Sequence, residues 1–292
     1  MDPEVLNKYR EAGRILSAVI AEVNPRVGPD VPLLEIAELV EGGIRTRGGE
    51  PAFPCNISLD RAAAHYTPAP GDARTFGESM AKLDIGVHVD GYIADAAVTV
   101  DLSGHFEMVE AAEAALAAAI DAIRPGVRTG QIGAAIEEAI SGYGYKPISN
   151  LTGHGLERYQ AHAEPTIPNR AAERGVVLKE GDVIAIEPFA TNGLGRISEA
   201  PITEIFGFIE SRPVRLPQAR ELMKEIAQKY KTLPFARRWL KGVRVDLALA
   251  QLLKNGIIHK YPVLWEIDGA LVSQAEHTII VSEKGCEVIT TP

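Results

Sequence analysis

KYREAGRILSAVIAEVNPRV (Lys8–Val27) and MVEAAEAALAAAIDAIRPGV (Met108–Val127) read as two versions of one amphipathic, Ala-rich helix. Both run into the same break, with Pro25 matching Pro125 and Val27 matching Val127. A second helix follows each, Leu34–Glu41 and Gly130–Glu137, on which Ile36, Val40 and Glu41 fall on Ile132, Ile136 and Glu137. Ala-rich helices resemble one another by composition alone, but the shared proline break and the downstream match favour duplication. Strand-like segments with short polar turns come after each helix pair. Two such halves predict a duplicated α+β domain with a site at the seam between their sheets.

The first half ends in a hairpin. Lys82–Val89 and Tyr92–Val100 alternate as strands around Asp90-Gly91, a two-residue turn signal. In that register Val89 faces Tyr92, His88 faces Ile93 and Gly86 faces Asp95. Asp84 and Asp95 then share one face, a diagonal step of about 7–8 Å apart. Gly86, opposite Asp95, is expected to leave that face open.

The second half holds further polar groups in telling places. His154 sits between Gly153 and Gly155, a context that suits either a turn histidine or a ligand brought close by its flanking glycines. Glu187 ends the apolar run Val183–Ile186, where a carboxylate needs an ion pair or a metal. Glu276 opens a similar run, Thr278–Val281. Asp84, Asp95, Glu187 and Glu276 with His154 form a set too negative to bury together unless cations neutralise it, and two divalent metals would do so. His162 fits core or surface equally, and His65 precedes a proline turn in a segment suited to lining a pocket. His88 falls near the hairpin tip, His105 and His259 in polar loops, and His277 opposite Glu276. The chain has no Gly-x-x-x-x-Gly-Lys-Ser/Thr loop, no His-Glu-x-x-His, no Gly-x-Ser-x-Gly and no Cys-x-x-Cys.

The 292 residues suffice for one large domain or two ordinary ones, and the net charge of −9 argues against nucleic acid as the partner of the whole surface. No secretory signal or membrane-spanning run is visible, and Cys55 and Cys286 read as free thiols, so a cytoplasmic protein is expected; a monomer is expected separately. One segment departs from the repeat. Residues 211–262 turn helical, over Gln218–Tyr230, an Arg237-Arg238-Trp239 turn and Asp246–Asn255 stopped by Gly256. They carry 12 Lys and Arg against 3 Asp and Glu, a net of +9 that leaves −18 on the rest. The segment reads as an insertion, with 1–210 and 263–292 as one catalytic domain. Its charge suits either a solvated helical face or steering toward ribosomal RNA.

Taken in order, Ala52-Phe53-Pro54, Ala64-His65-Tyr66-Thr67-Pro68, Lys82-Leu83-Asp84-Ile85-Gly86, Ile93-Ala94-Asp95, Gly153-His154-Gly155, His162, Ile186-Glu187-Pro188-Phe189 and Gln274-Ala275-Glu276-His277-Thr278 resemble the metallopeptidases of the pita-bread fold. The resemblance is closest to methionine aminopeptidases of type 2, in the short form found in archaea. It covers essentially the whole chain, the insertion included, which is similar to the winged-helix-like subdomain of type 2 enzymes. It implies an α+β, pseudo-twofold duplicated fold with a central antiparallel sheet flanked by helices, and a dinuclear metallo-aminopeptidase that hydrolyses the first peptide bond of nascent chains and favours a small second residue. By the same resemblance Asp84 chelates one metal, Asp95 and Glu276 bridge both, and His154 and Glu187 complete the other. Glu187 shuttles a proton, His162 and His65 contact the scissile amide, and Phe53 and Tyr261 line the methionine pocket. Co, Mn, Fe(II) or Zn all suit such ligands. The relatives' extra pocket histidine has no counterpart between Glu187 and Pro201. Proline-specific relatives share the ligand set but lack the insertion and carry a further N-terminal domain. A binding paralogue on this fold would have lost ligands.

Overall fold

The structure, a computed structural model, describes residues 1–291. Helix α1 (Pro3–Val23) starts where Asp2 accepts the Glu4 N–H at 2.8 Å and Pro3 occupies the first turn. It ends in a short 3-10 turn at Asn24–Arg26, where Pro25 has no N–H to continue the ladder. Helix α2 (Leu33–Thr46) follows. The second half repeats the order with α3 (Phe106–Ala122) and α4 (Thr129–Gly142). The duplication is visible in the packing, because each helix pair has its own core. Ile15, Leu16, Ile36 and Val40 pack against Leu83, Ile85 and Ile93 of the first hairpin. Met108, Ala112, Ile132 and Ile136 pack against Ile184, Ile186, Ile279 and Val281. The alanine faces of α3, with Ala111, Ala112, Ala115 and Ala119 buried, bring its backbone close to its neighbours.

The hairpin has the expected register. Strands Met80–Val89 and Tyr92–Asp101 pair with Val89 opposite Tyr92, His88 opposite Ile93 and Gly86 opposite Asp95. Asn56–Leu59 joins on the other edge, placing Asn56 opposite Asp84. The second half builds a five-stranded antiparallel sheet in the order Gly285–Val288, His277–Ser282, Val183–Ile186, Thr152–Glu157, Gln160–Pro168. The two sheets are joined by shared apolar packing and by hydrogen bonds along one edge. The Glu276 N–H donates to the Ala97 carbonyl at 3.0 Å, and the Asp95 N–H donates to Thr278 Oγ1 at 2.7 Å. Thr278 Oγ1 in turn donates to the Asp95 carbonyl at 2.8 Å.

The basic segment has a separate core. Helices α5 (Pro217–Lys229) and α6 (Val245–Lys254) enclose Leu222, Ile226, Phe235, Leu249 and Leu252, and Gly256 takes the left-handed φ of +63° that ends α6. Two features differ from the sequence reading. Strand Ile205–Phe208, before residue 211, pairs with Ile258–Tyr261 and Phe235–Ala236, so the unit includes a small sheet as well as helices. Arg238 is not on a solvated face: only 5% of its side chain is exposed, and it pairs with Glu41 of α2. Among the described residues no helix is long and apolar enough to cross a membrane. Both cysteines are free, with Cys55 buried.

Gly13 on α1 lets the first helix lie against the last strand region. A Cβ at that position would stand 2.0 Å from the Ile289 carbonyl oxygen, a backbone atom with no room to turn aside. Gly13→Ala is expected to destabilise the protein by about 1–3 kcal/mol. Chemical denaturation against the wild type would measure it, and an unchanged midpoint would show that helix and strand separate freely.

Candidate metal centre

The seam opens into a cavity of about 600 Å³, and each half supplies part of its lining. Asp84 and Asp95 reach it from the first hairpin. His154 comes from Thr152–Glu157, Glu187 from the end of Val183–Ile186, and Glu276 from the residue before His277–Ser282. His65, His162, Phe53 and Tyr261 line the same space. All nine residues singled out in the sequence therefore face one another, from positions as far apart as Phe53 and Glu276.

Their geometry is close. One oxygen or nitrogen from each of Asp95, His154 and Glu276 lies within 4.8 Å of the others. His154 Nε2 is 3.6 Å from Glu187 Oε1 and 3.9 Å from Asp95 Oδ2. Burial pushes the Asp84 carboxyl up to about 7, against a hydrogen bond from Asn56 Nδ2 at 3.3 Å that lowers it. Asp95, Glu187 and Glu276 are driven well above the usual carboxylate range, by burial first and then by neighbouring carboxylates: Asp84 and Glu187 at Asp95, Asp84 at Glu187, and Asp95, Glu187 and Asp84 at Glu276. Burial, and then His162, pulls His154 down to about 3, so its imidazole is neutral.

These residues fit a divalent cation on two grounds. Asp84 Oδ1 and Asp95 Oδ1 are buried with no hydrogen-bond partner among the described residues, a costly condition for acceptors of this kind. His154 Nδ1 lies 3.2 Å from the Gly155 carbonyl, which can only accept. The ring proton is then on Nδ1, and the Nε2 lone pair faces the carboxylates, as a metal ligand requires.

The accessory groups stand nearby. His65 takes a left-handed φ of +64°, an uncommon conformation for a side chain of its size, and its Nδ1 is 3.3 Å from the Pro262 carbonyl. The ring centroid of His162 is 4.7 Å from that of His154, and Tyr261 packs edge-on to His65 at 5.6 Å. Two expectations need correction. Gly86 does not leave open space opposite Asp95; a Cβ there would lie 2.3 Å from the Phe53 ring, so the glycine accommodates Phe53. His259 is not in a solvated loop but in strand Ile258–Tyr261, its ring 4.6 Å from Tyr261. The sequence reading missed Asn56 on Asp84, and Gln274, whose Nε2 donates to Glu276 Oε2 at 3.2 Å. It also missed Ile205 and Pro234 in the lining. Gln274, two residues before Glu276 on an extended stretch, was within reach of an alternation argument. The others depend on pairings between distant segments.

Comparison with known proteins agrees with this construction. Residues 7–233 match metallopeptidase family M24, and the chain belongs to that family. It is 52% identical to a methionine aminopeptidase of Archaeoglobus fulgidus over 99% of this chain and 100% of that one. A second, from Methanocaldococcus jannaschii, is 48% identical over 99% of this chain and 100% of its own length. Among solved structures, a methionine aminopeptidase from Thermotoga maritima superposes with a TM-score of 0.75 at 22% identity, covering 100% of this chain and 98% of that one. That likeness speaks for the fold alone. This is a metallopeptidase on the pita-bread fold.

A pH dependence follows from the crowded carboxyls. Their folded-state pKa values lie above the unfolded values near 4, so the metal-free fold binds more protons than the unfolded chain. That stabilisation is full below about pH 4 and is lost as pH rises through about 7 for Asp84. The Tm of chelator-treated protein is expected to fall between about pH 5 and 8, and added Mn²⁺ to raise it more at the higher pH. A metal-free Tm that climbs over that range would contradict the cluster.

Proposed function

We propose that this protein removes N-terminal methionine from peptides and nascent chains by metal-assisted hydrolysis of the first peptide bond, favouring a small second residue. The observation that carries the reading is the pair of unpartnered oxygens, Asp84 Oδ1 and Asp95 Oδ1, in a cavity shared by four carboxylates. The full-length relatives named methionine aminopeptidase support the choice of substrate. Asp84, Asp95, His154, Glu187 and Glu276 are the proposed ligands of two divalent cations. Bound there, such ions supply Lewis-acid polarisation of the scissile carbonyl and acidify water.

The chain's own groups do the rest. Asp84 would hold its metal with a ligand position open to the substrate's free α-amine, which restricts cleavage to the first residue. As water adds to the scissile carbonyl carbon and the C–N bond breaks, Glu187 accepts the water's proton at its carboxylate and passes it to the departing amine. His162 donates a hydrogen bond to the scissile carbonyl, and His65 contacts the amide beside it. Phe53, Tyr261 and Ile205 give the unbranched thioether an apolar wall. We read 1–210 and 263–292 as the catalytic domain, 211–262 as an inserted subdomain that pairs with strand Ile205–Phe208 of that domain, and the enzyme as a cytoplasmic monomer.

Hydrolysis of Met-Ala-Ser with added Mn²⁺ or Co²⁺ tests this directly. Glu187→Gln should lose at least about 10²-fold in kcat with the fold intact, and His65→Ala should slow turnover while metal stoichiometry stays at the wild-type value. Wild-type protein that frees no methionine with any divalent metal, or a fully active Glu187→Gln, would defeat the reading.

The net charge of +9 on 211–262 supports a transient contact with ribosomal RNA. Because Arg238 is buried, the informative charge reversals are at the exposed Lys224, Lys241 and Arg244. Co-sedimentation with ribosomes should weaken in that triple variant and with added salt; sedimentation indifferent to both would exclude steering.

A further inference from the structure

Behind the wall that carries Phe53, Asn56 and His65 lies a buried ion pair joining the inserted segment to α2. Glu41 on α2 is 4% exposed, and its partner Arg238 comes from the Arg237–Trp239 turn. The Arg238 guanidinium donates to Glu41 Oε1, and Trp239 Nε1 donates to Glu41 Oε2 at 2.6 Å. The other arm of the guanidinium donates to Thr67 Oγ1 at 2.5 Å and to the Pro68 carbonyl at 3.3 Å.

These contacts converge on the backbone of Cys55. Its N–H donates to Glu41 Oε1 at 3.2 Å, and its carbonyl accepts from Thr67 Oγ1 at 2.7 Å. Arg238 holds both of those side chains, so one guanidinium governs the two consecutive peptide groups on either side of the Cys55 Cα. Cys55 is adjacent to Asn56, which bonds Asp84, and two residues from Phe53. Thr67 is two residues from His65. An apolar pair of equal volume could fill the space but would give the backbone at Cys55 no direction.

We propose that the Glu41–Arg238 pair is a positioning device through which the inserted segment sets the wall bearing Phe53, Asn56 and His65. Neither residue touches the cavity groups directly. The kinetic consequence rests on the aminopeptidase reading; the effect on metal affinity does not.

The test compares Glu41→Gln, Arg238→Met, the double variant and the milder Arg238→Lys. KM and kcat on Met-Ala-Ser, Mn²⁺ affinity by calorimetry and Tm are measured on folded protein. Each single removal should raise KM or weaken Mn²⁺ binding by about tenfold, beyond any fall in Tm. Arg238→Lys, which keeps the charge but not the fork, should fall between the wild type and Arg238→Met. The double variant should be no worse than the poorer single one, because the two residues act as one unit and no unpaired charge remains. Variants that melt earlier yet keep wild-type KM, kcat and Mn²⁺ affinity would reduce the pair to a structural brace and overturn the inference. If the wild type cleaves no methionyl peptide, the activity reading fails while Mn²⁺ affinity still decides this one.

Discussion

Four carboxylates share one buried seam, and the fold is organised around that concentration of negative charge. Left ionised and unpaired, such groups cost several kcal/mol each in desolvation and repel one another further. The metal-free protein meets the cost by binding protons, which is why burial raises each of these carboxyls. Cations meet it otherwise, by turning the repulsion into attraction. The same crowding that penalises the empty cluster therefore gives it affinity for divalent metal.

Neither half of the duplication carries the site alone. The first hairpin brings Asp84 and Asp95, and the second sheet brings His154, Glu187 and Glu276. They are held in register by Thr278, which both accepts from the Asp95 N–H and donates to the Asp95 carbonyl, and by the Glu276 N–H on Ala97. Helices α1 and α2 pack in one apolar cluster and α3 and α4 in another, with Val183, Ala185 and Ile280 of the second sheet joining the first cluster, and the polar groups gather in the cavity between the halves. The inserted segment closes one side, contributing Tyr261 and Pro234 to the cavity wall while Arg238 reaches back to α2. This basic unit is thus joined to α2 by a buried charge as well as to the rest of the chain by covalent connection.

The parts legible beforehand were those carried by local pattern. Asp90-Gly91 sets the hairpin register, and that register alone puts Asp84 and Asp95 on one face. The Gly256 stop and the proline breaks come from backbone sterics, which need no tertiary context. Gly86 was misjudged because its role depends on Phe53, a residue from another strand region. His259 looked polar in its local surroundings, yet pairing with Ile205–Phe208 turns its segment into a strand against Tyr261.

Residue order and spacing by themselves establish the duplicated helix–strand halves, the hairpin pair of aspartates and the identity of the polar groups. These rest on short-range geometry that each segment carries wherever it lies. Tertiary structure alone decides that Asp95, His154 and Glu276 come within 4.8 Å, that His154 presents Nε2, and that Arg238 is buried against Glu41. Those outcomes depend on contacts between segments up to about two hundred residues apart, whose energies come from packing and desolvation.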